Sequence, residues 1–297
     1  MPPRFNLSDT LILIRGGGDL ATGVAHRLHR AGFTVMITEL PQPLAVRRAV
    51  SFAEAVYKER VTVEGVTAHL APDPMVAVAK GGGAYTVMGE IPIVVDADDS
   101  VLARMRPPIV VDARLAKKNL GTHLTDAKLV IGLGPGFTAG VDCHAVMETN
   151  RGHNLGRVYW EGSAEPNTGE PEPVRGVAGQ RVLRAPRDGI FKERVEIGDL
   201  VKAGDVLAEV VNTLQGVDGE PIQAQFDGVV RGLLHDGLRV TAGMKVGDLD
   251  PRGVREYCFL ISDKARAVGG GVLEAIFAGM RLWTPEPTPE ERDAGMP

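Results

Sequence analysis

The chain has 297 residues, of which 44% are hydrophobic and 24% charged, and its formal net charge is -5. The length and composition indicate a globular protein of about two domains. Nucleic acid is not expected as a partner, because phosphate neutralisation needs clustered Lys and Arg. The two cysteines form no CxxC pair, and no apolar run has the length of a signal-peptide core or a membrane span. We therefore expect a soluble, cytoplasmic protein with no membrane partner.

The stretch LILIRGGGDLATG, residues 11–23, predicts a buried strand, a glycine turn and the start of a helix. Within it the G-x-G-x-x-A pattern lets a pyrophosphate approach the backbone and the helix N-terminus. The next apolar run, FTVMITEL, ends at Glu39, an acid placed to hydrogen-bond a ribose. The predicted cofactor-binding residues here are Gly16, Gly17, Gly18, Asp19, Leu20, Ala21 and Glu39. The alternative is a tight turn that binds nothing, and Asp19 would repel phosphate unless it turned away, capped the helix or met a metal.

Three further strands are predicted, ending at Asp96, at Asp112 and at a second glycine loop, GLGPGFTAG. Because ligands bind beyond the carboxyl ends of parallel strands, we expect all three ends at one rim of the sheet. For each aspartate taken singly, a helix cap or turn is favoured over a ligand contact. Gly134 and Gly136 are predicted to form a second anion-binding loop, with a structural turn as the alternative.

Three segments between these strands are predicted to be helical: 45–58, 72–83 and 141–157. The last contains Cys143, His144, Glu148 and His153, from which a metal site can be drawn, but their spacing matches no closed zinc pattern, so no metal site is predicted. A polar helix with a buried thiol is the preferred interpretation. Cys143 is kept as a weak candidate catalytic residue for handling sulfur or selenium, because a thiolate is the natural nucleophile for that exchange.

An ungapped internal repeat with an offset of 39 residues begins at Ala185 and again at Ala224. Two such strand–turn–strand units can pack as a small two-sheet sandwich. The string GDLVKAGD, residues 198–205, resembles the biotinyl/lipoyl barrel-sandwich hybrid. No lysine lies between Lys202 and Lys245, so no biotin or lipoate is expected. The predicted role is packing, docking or oligomerisation, which is compatible with a homo-oligomer.

The C-terminal run FLISDKARAVGGGVLEAIFAG predicts a helix capped by Ser262 or Asp263. Its three glycines, Gly269–Gly271, indicate either a break or, as the favoured alternative, close backbone packing. The predicted fold class is α/β, a Rossmann-like parallel sheet plus an all-β barrel-sandwich hybrid (biotinyl/lipoyl-like) module. The predicted domains are 1–160 (Rossmann-like), 175–252 (barrel-sandwich hybrid), 253–280 (C-terminal helix packing on the α/β domain) and 281–297 (disordered tail).

Several long strings together resemble the selenium-dependent molybdenum hydroxylase accessory, or YqeB-type, family. They include RGGGDLATGVAHRLHRAGFTVMITEL, VVDARLAKKNLGT, IGLGPGFTAGVDCHAVMETNRGHNLGR and ISDKARAVGGGVLEAI, and the resemblance spans about residues 10–280. It implies a role in maturation of molybdenum hydroxylases such as xanthine dehydrogenase, with the hydroxylase as client. It implies no catalytic residue.

Three functions follow as hypotheses. The first is a maturation factor that binds a nucleotide (NAD(P), CTP or ATP) or molybdopterin dinucleotide at the glycine loop. The second is an NAD(P)-dependent oxidoreductase, for which Lys117, His123 and His144 are available proton donors, although no Tyr-x-x-x-Lys arrangement occurs. The third is a docking scaffold without a ligand.

Overall fold

A computed structural model describes residues 7–75, 89–167, 169, 173–213 and 218–281. A nine-stranded sheet has the strand order β10-β9-β7-β6-β1-β2-β5-β4-β3. Its strands are β1 (Leu11–Arg15), β2 (Thr34–Glu39), β3 (Arg60–Val63), β4 (Val66–Leu70), β5 (Ile91–Val95), β6 (Ile109–Asp112), β7 (Leu129–Leu133), β9 (Ala145–Met147) and β10 (Val158–Tyr159). Two short strands, β8 (Thr138–Ala139) and β11 (Gly162–Ser163), pair beside it.

Strand β1 lies at the centre of this sheet and is buried along its whole length. Its alternate residues enter two different apolar clusters: Ile12 and Ile14 one, Leu11 and Leu13 the other. A continuous apolar run is therefore what this position requires, since both faces of the sheet are covered.

The described α-helices are α1 (Asp19–Arg30), α2 (Ala55–Lys58), α3 (Ser100–Met105) and α4 (Asp263–Arg281). Helix α4 packs closely along α1. A Cβ added at Gly23 would lie 2.7 Å from the Cβ of Ala265, and one added at Gly269 would lie 2.8 Å from the carbonyl oxygen of Gly23. The favoured prediction of close backbone packing is confirmed at Gly269 and Gly271, since α4 continues through the glycines and an added Cβ at either would meet neighbouring backbone; at Gly270 it would meet nothing.

The repeat region forms two four-stranded antiparallel sheets, ordered β12-β19-β17-β14 and β16-β15-β13-β18. Their strands are β12 (Val182–Arg184), β13 (Gly189–Glu193), β14 (Leu200–Val201), β15 (Val206–Val211), β16 (Glu220–Gln223), β17 (Gly228–Leu233), β18 (Arg239–Val240) and β19 (Lys245–Asp250). Each sheet takes strands from both copies of the repeat, and Phe191, Leu207, Val230 and Leu249 belong to one core.

The predicted fold class is wrong. The large sheet is mixed rather than parallel, since β3 pairs with β4 and β10 with β9 in antiparallel fashion. One cause is local: Glu64 and Gly65 both have positive φ, which closes a tight hairpin between β3 and β4. The repeat region consists of two separate antiparallel sheets, and nothing in them identifies a biotinyl/lipoyl-like barrel-sandwich hybrid module.

Two predicted helices are also wrong. The segment 45–58 forms two 3-10 turns followed by the short α2, because Ser51 is extended and the next backbone N–H groups bond to Thr22 and Gly17. The segment 141–157 contributes strand β9 to the large sheet instead of a helix. Most of the predicted helix at 72–83, and the predicted tail after Arg281, lie outside the described residues. Within the described part of the chain, no helix is long and apolar enough to cross a membrane.

Candidate functional site

A cavity of about 370 Å³ opens at the carboxyl ends of β1, β2, β5 and β6. We call it the crevice. Six of the predicted cofactor-binding residues line it: Gly16, Gly18, Asp19, Leu20, Ala21 and Glu39. Parallel strands expose their ends on one edge, so residues distant in sequence meet here.

The three glycines of the loop have different structural roles. Gly16 has a φ of +93° and donates its N–H to the carbonyl of Thr38 at 2.8 Å. A Cβ at Gly17 would lie 2.9 Å from the backbone nitrogen of Ala53, so Gly17 is required for packing. Gly18 precedes α1, has a φ of -64°, and an added Cβ there would meet no atom within 4 Å. Only the third glycine therefore borders open space.

The N-terminus of α1 has no side-chain cap. The first N–H groups of a helix lack partners within the helix and carry its positive partial charge. Gly18, Asp19 and Leu20 line the crevice at this end. An anionic group in the crevice would meet these donors.

Glu39, at the end of β2, lies beside the glycine loop that leads into α1. Its two carboxylate oxygens accept the N–H groups of Gly17 and Leu40, each at 2.7 Å. Burial raises the pKa of Glu39, and the two backbone hydrogen bonds lower it, with burial the larger effect. The side chain is thus held in a fixed position at the end of β2, where a ribose hydroxyl could donate to it.

Asp19 does not face the crevice as an unpaired charge. Its carboxylate contacts the guanidinium of Arg47 at 3.2 Å, and Arg47 is largely buried. Among the described residues Asp19 neither caps the helix nor belongs to a metal-binding cluster, and its charge is instead paired with a protein cation, Arg47. Arg47 reduces the repulsion that Asp19 would exert on a phosphate.

The crevice wall at the ends of β1 and β6 contains a network of charged side chains, of which Arg15 and Asp112 are buried. Arg15, at the end of β1, is only 2% exposed; it donates to Thr122 at 2.7 Å and to Asp99 at 2.5 Å. Thr122 donates in turn to Asp112 at 2.6 Å, and Arg114 binds the same carboxylate through two nitrogens. Burial alone would raise the pKa of Asp112, but the hydrogen bonds and charge of Arg114 lower it below its usual value. This wall is rigid because each charge has a counter-charge.

Asp96 and Asp112 have the local roles that were favoured for them. Asp96 lines the crevice, but its carboxylate accepts the N–H groups of Ser100 and Val101 at the start of α3. Asp112 accepts the backbone N–H of Arg114 at 3.1 Å. Both are cap or turn residues.

The second glycine loop does not line the crevice. A Cβ at Gly134 would lie 2.5 Å from the Oγ1 of Thr149, and one at Gly136 would lie 2.6 Å from the backbone nitrogen of Lys118. Both glycines have positive φ. They let the loop pack tightly against its neighbours, which supports the structural turn given as the alternative.

Cys143 is fully buried in the core on one face of the large sheet. Burial raises the pKa of its thiol to about 12. At neutral pH the thiol is therefore protonated, and it does not border the crevice. In this conformation Cys143 is a packing residue.

The polar residues around Cys143 have separate structural partners. The Nδ1 of His144 accepts the N–H of Val130 at 3.0 Å, and buried Glu148 accepts the N–H groups of Asn150 and Glu165. Among the described residues no group of three His, Cys, Asp or Glu side chains could hold a metal ion. Lys117, His123 and His144, considered above as proton donors, do not line the crevice either.

Five residues of the site were missed from the sequence: Arg15, Arg47, Asp99, Arg114 and Thr122. Arg15 alone had a signal, because an arginine directly after four apolar residues of a buried strand must find a counter-charge. The partners of Arg15 and Asp19 lie 84 and 28 residues away in sequence, where no spacing rule applies.

The fold and the crevice define an α/β protein with a mixed sheet, two further antiparallel sheets and an open helix N-terminus at the sheet edge. The chain is 50% identical to the uncharacterized protein YqeB of Escherichia coli (strain K12) over 277 residues. The match covers 93% of this chain and 49% of that protein, so the chain spans about half the length of this curated relative. The identity supports the YqeB-type relationship that the motifs indicate. No family model matches the chain.

Solved structures give only weak likenesses. The ectoine utilization protein EutE (DoeB) of Ruegeria pomeroyi is 12% identical, with a TM-score of 0.25 over 82% of this chain and 85% of that one. A succinylglutamate desuccinylase/aspartoacylase of Rhodobacter sphaeroides is 17% identical, with the same TM-score and the same coverage of both chains. These scores are too low to transfer a function.

Proposed function

We propose that the crevice binds a nucleotide or molybdopterin dinucleotide, and that the chain acts as a maturation factor for a selenium-dependent molybdenum hydroxylase. The observation that carries the proposal is the uncapped N-terminus of α1 opening into the crevice beside the fixed carboxylate of Glu39. Helix N–H groups suit a pyrophosphate, and the carboxylate suits a ribose hydroxyl. Both nucleotides and the pterin dinucleotide carry these two groups.

The maturation role rests on the YqeB-type resemblance, which the 50% identity supports. The crevice is compatible with carrying a cofactor rather than transforming it. The titratable carboxylates that line it already have partners in the protein: Glu39 and Asp96 accept backbone N–H groups, and Asp19 pairs with Arg47. Binding and transfer to a client hydroxylase is the activity that this lining supports.

The binding proposal is tested by calorimetric titration with NAD, NADP, CTP and ATP, using the wild type and Gly18→Val. Gly18 lines the crevice and has an ordinary φ, and the Cβ of the valine would meet no atom within 4 Å. We expect one nucleotide to bind, and the variant to bind it at least about tenfold more weakly, a difference of roughly 1.4 kcal/mol. Thermal melts accompany the titration, because valine is a poorer N-cap than glycine.

Gly270→Ala is the matched control, since Gly270 in α4 also has no atom within 4 Å of an added Cβ and lies outside the crevice. It should bind the nucleotide like the wild type. Equal binding by Gly18→Val would contradict the placement of the ligand at the glycine loop. The maturation role is tested separately, by the activity of a co-expressed molybdenum hydroxylase, which should fall with Gly18→Val and stay unchanged with the control.

A further inference from the structure

A second cavity, of about 550 Å³, lies between the large sheet, the repeat region and the start of α4. Five arginine and three lysine side chains line it, against three carboxylates. We call it the basic cavity and define it by Lys117, Arg181, Arg184, Arg231 and Lys245. These residues come from two separate parts of the fold, so the excess of positive charge belongs to the folded molecule and not to any run of sequence.

The carboxylates of the basic cavity are already engaged. Asp263 binds both terminal nitrogens of Arg151, at 2.5 and 2.6 Å. Asp248 lies 3.5 Å from Arg181, and Glu165 accepts the side-chain amides of two asparagines. None of them is paired with the two lysines that define the cavity.

Lys117 and Lys245 have no ion-pair or hydrogen-bond partner for their ammonium groups among the described residues. Desolvation, and then the charge of Lys245, lower the pKa of Lys117. Within the described part of the chain, the guanidinium of Arg184 bonds the carbonyl oxygen of Gly243, at 2.9 Å, and no carboxylate. Three cationic groups in one cavity therefore have no counter-charge from the described residues, and two of them repel each other.

Arg231 is under-compensated as well. It is 9% exposed and binds Asp250 at 3.2 Å, but Arg252 binds the same carboxylate more closely, at 2.5 Å. The Nε atom of Arg231 has no hydrogen-bond partner among the described residues. Burial, and then the charge of Arg47, lower the pKa of Arg231, while Asp248 and Asp250 oppose this effect. Both carboxylates are shared with other arginines, Arg181 and Arg252. Burying a cation that shares its counter-charges is costly unless an anion completes the site.

The backbone that carries Lys117 is held in an uncommon conformation. Lys117 has a φ of 64°, which non-glycine residues seldom adopt. Gly136 packs against the backbone of Lys117 and Lys118, with an added Cβ only 2.6 Å from the nitrogen of Lys118. Strained backbone of this kind persists where the surrounding structure fixes it, which occurs most often at binding sites.

We propose that the basic cavity is a second binding site, distinct from the crevice, for a diphosphate group, carried either by inorganic pyrophosphate or by a nucleotide. Arginine and lysine on several elements can surround a group with two neighbouring negative centres, and charge-assisted hydrogen bonds to phosphate are among the strongest available. A single phosphate would leave part of the excess charge uncompensated.

The test is a calorimetric titration of the full chain with inorganic pyrophosphate and, separately, with ADP. Lys117→Gln/Lys245→Gln removes two exposed charges that make no ion pair or hydrogen bond with the described residues. Lys202→Gln removes an exposed lysine of the repeat region outside the cavity. Pyrophosphate should bind the wild type and Lys202→Gln alike, and bind the double variant roughly tenfold to a hundredfold more weakly. Binding should also weaken as salt rises.

Two comparisons separate this site from the crevice and identify the source of the diphosphate. Gly18→Val should leave pyrophosphate binding unchanged, so failure of the crevice proposal does not affect this one. If ADP binds more tightly than pyrophosphate and is equally weakened in the double variant, the ligand is a nucleotide; the reverse order indicates inorganic diphosphate. Absence of pyrophosphate and ADP binding to the wild type, or equal binding by the double variant, would overturn the proposal.

Discussion

The crevice and the basic cavity differ in how their charges are balanced. In the crevice, Arg15 and Arg114 meet Asp99 and Asp112, and Asp19 meets Arg47. In the basic cavity, Lys117 and Lys245 meet no carboxylate of the described chain. Paired buried charges are part of the structure, and removing one leaves its partner exposed to a large desolvation cost. Unpaired charges contribute little to folding, so the two lysines of the basic cavity are explained better by a bound anion than by a contribution to stability.

The largest expected effect is on stability at the crevice wall. Asp112→Ala removes a carboxylate that is 1% exposed and leaves Arg114 and Thr122 without their acceptor. We expect the free energy of unfolding, measured by urea denaturation, to fall by about 3–5 kcal/mol. Glu161→Ala, at an exposed carboxylate, should change it by less than about 0.5 kcal/mol.

The same denaturation measurement on Lys117→Gln/Lys245→Gln sharpens the comparison. Removing two neighbouring like charges should leave stability unchanged or raise it slightly. A loss comparable to that of Asp112→Ala would show that the lysines have hidden counter-charges, and would remove the contrast between the two cavities.

A smaller effect is expected from pH, with opposite signs for two carboxyls of the crevice. The folded pKa of Asp112 is lowered, so its stabilisation is complete above the unfolded pKa, near 4, and is lost as pH falls through the folded value. The folded pKa of Glu39 is raised, so the folded state binds the proton first and acidification between the two values favours folding.

Unfolding free energies of the wild type, Asp112→Asn and Glu39→Gln between pH 7 and pH 3 check these signs. The advantage of the wild type over Asp112→Asn should shrink toward acid. Relative to Glu39→Gln, the wild type should gain stability as pH falls toward the unfolded pKa. Parallel curves for the two variants would contradict the assignment of opposite shifts.

The sequence predicted the part of the crevice that lies in one local unit. Strand β1, the glycine turn, α1 and Glu39 follow one another within 29 residues, so spacing rules can place them together. The counter-charges of Arg15 and Asp19 come from other segments, and the basic cavity is assembled from residues 117–264, so no local pattern reports them.

The antiparallel pairing of β3 and β4 was not predicted, because the Glu64–Gly65 hairpin between them was not recognised. Segment 141–157 was read as a helix from the spacing of polar residues, whereas its three apolar residues Ala145–Met147 had the length of a buried strand.

The smallest predicted effect concerns the contact that joins the two sites, because α1 begins at the crevice and α4 begins at the basic cavity. Gly270 is in the middle of α4 and a Cβ there meets nothing, so Gly270→Ala should raise the unfolding free energy by about 0.5–1 kcal/mol through helix propensity alone. A Cβ added at its neighbour Gly269 would lie 2.8 Å from the carbonyl oxygen of Gly23. Gly269→Ala should therefore destabilise the chain by forcing α4 away from α1. Opposite signs at adjacent glycines, read from thermal melts, would show that the α1–α4 contact is tight. If Gly269→Ala destabilises, nucleotide binding at the crevice should weaken with it, because the contact fixes the direction of the helix N-terminus that the ligand meets.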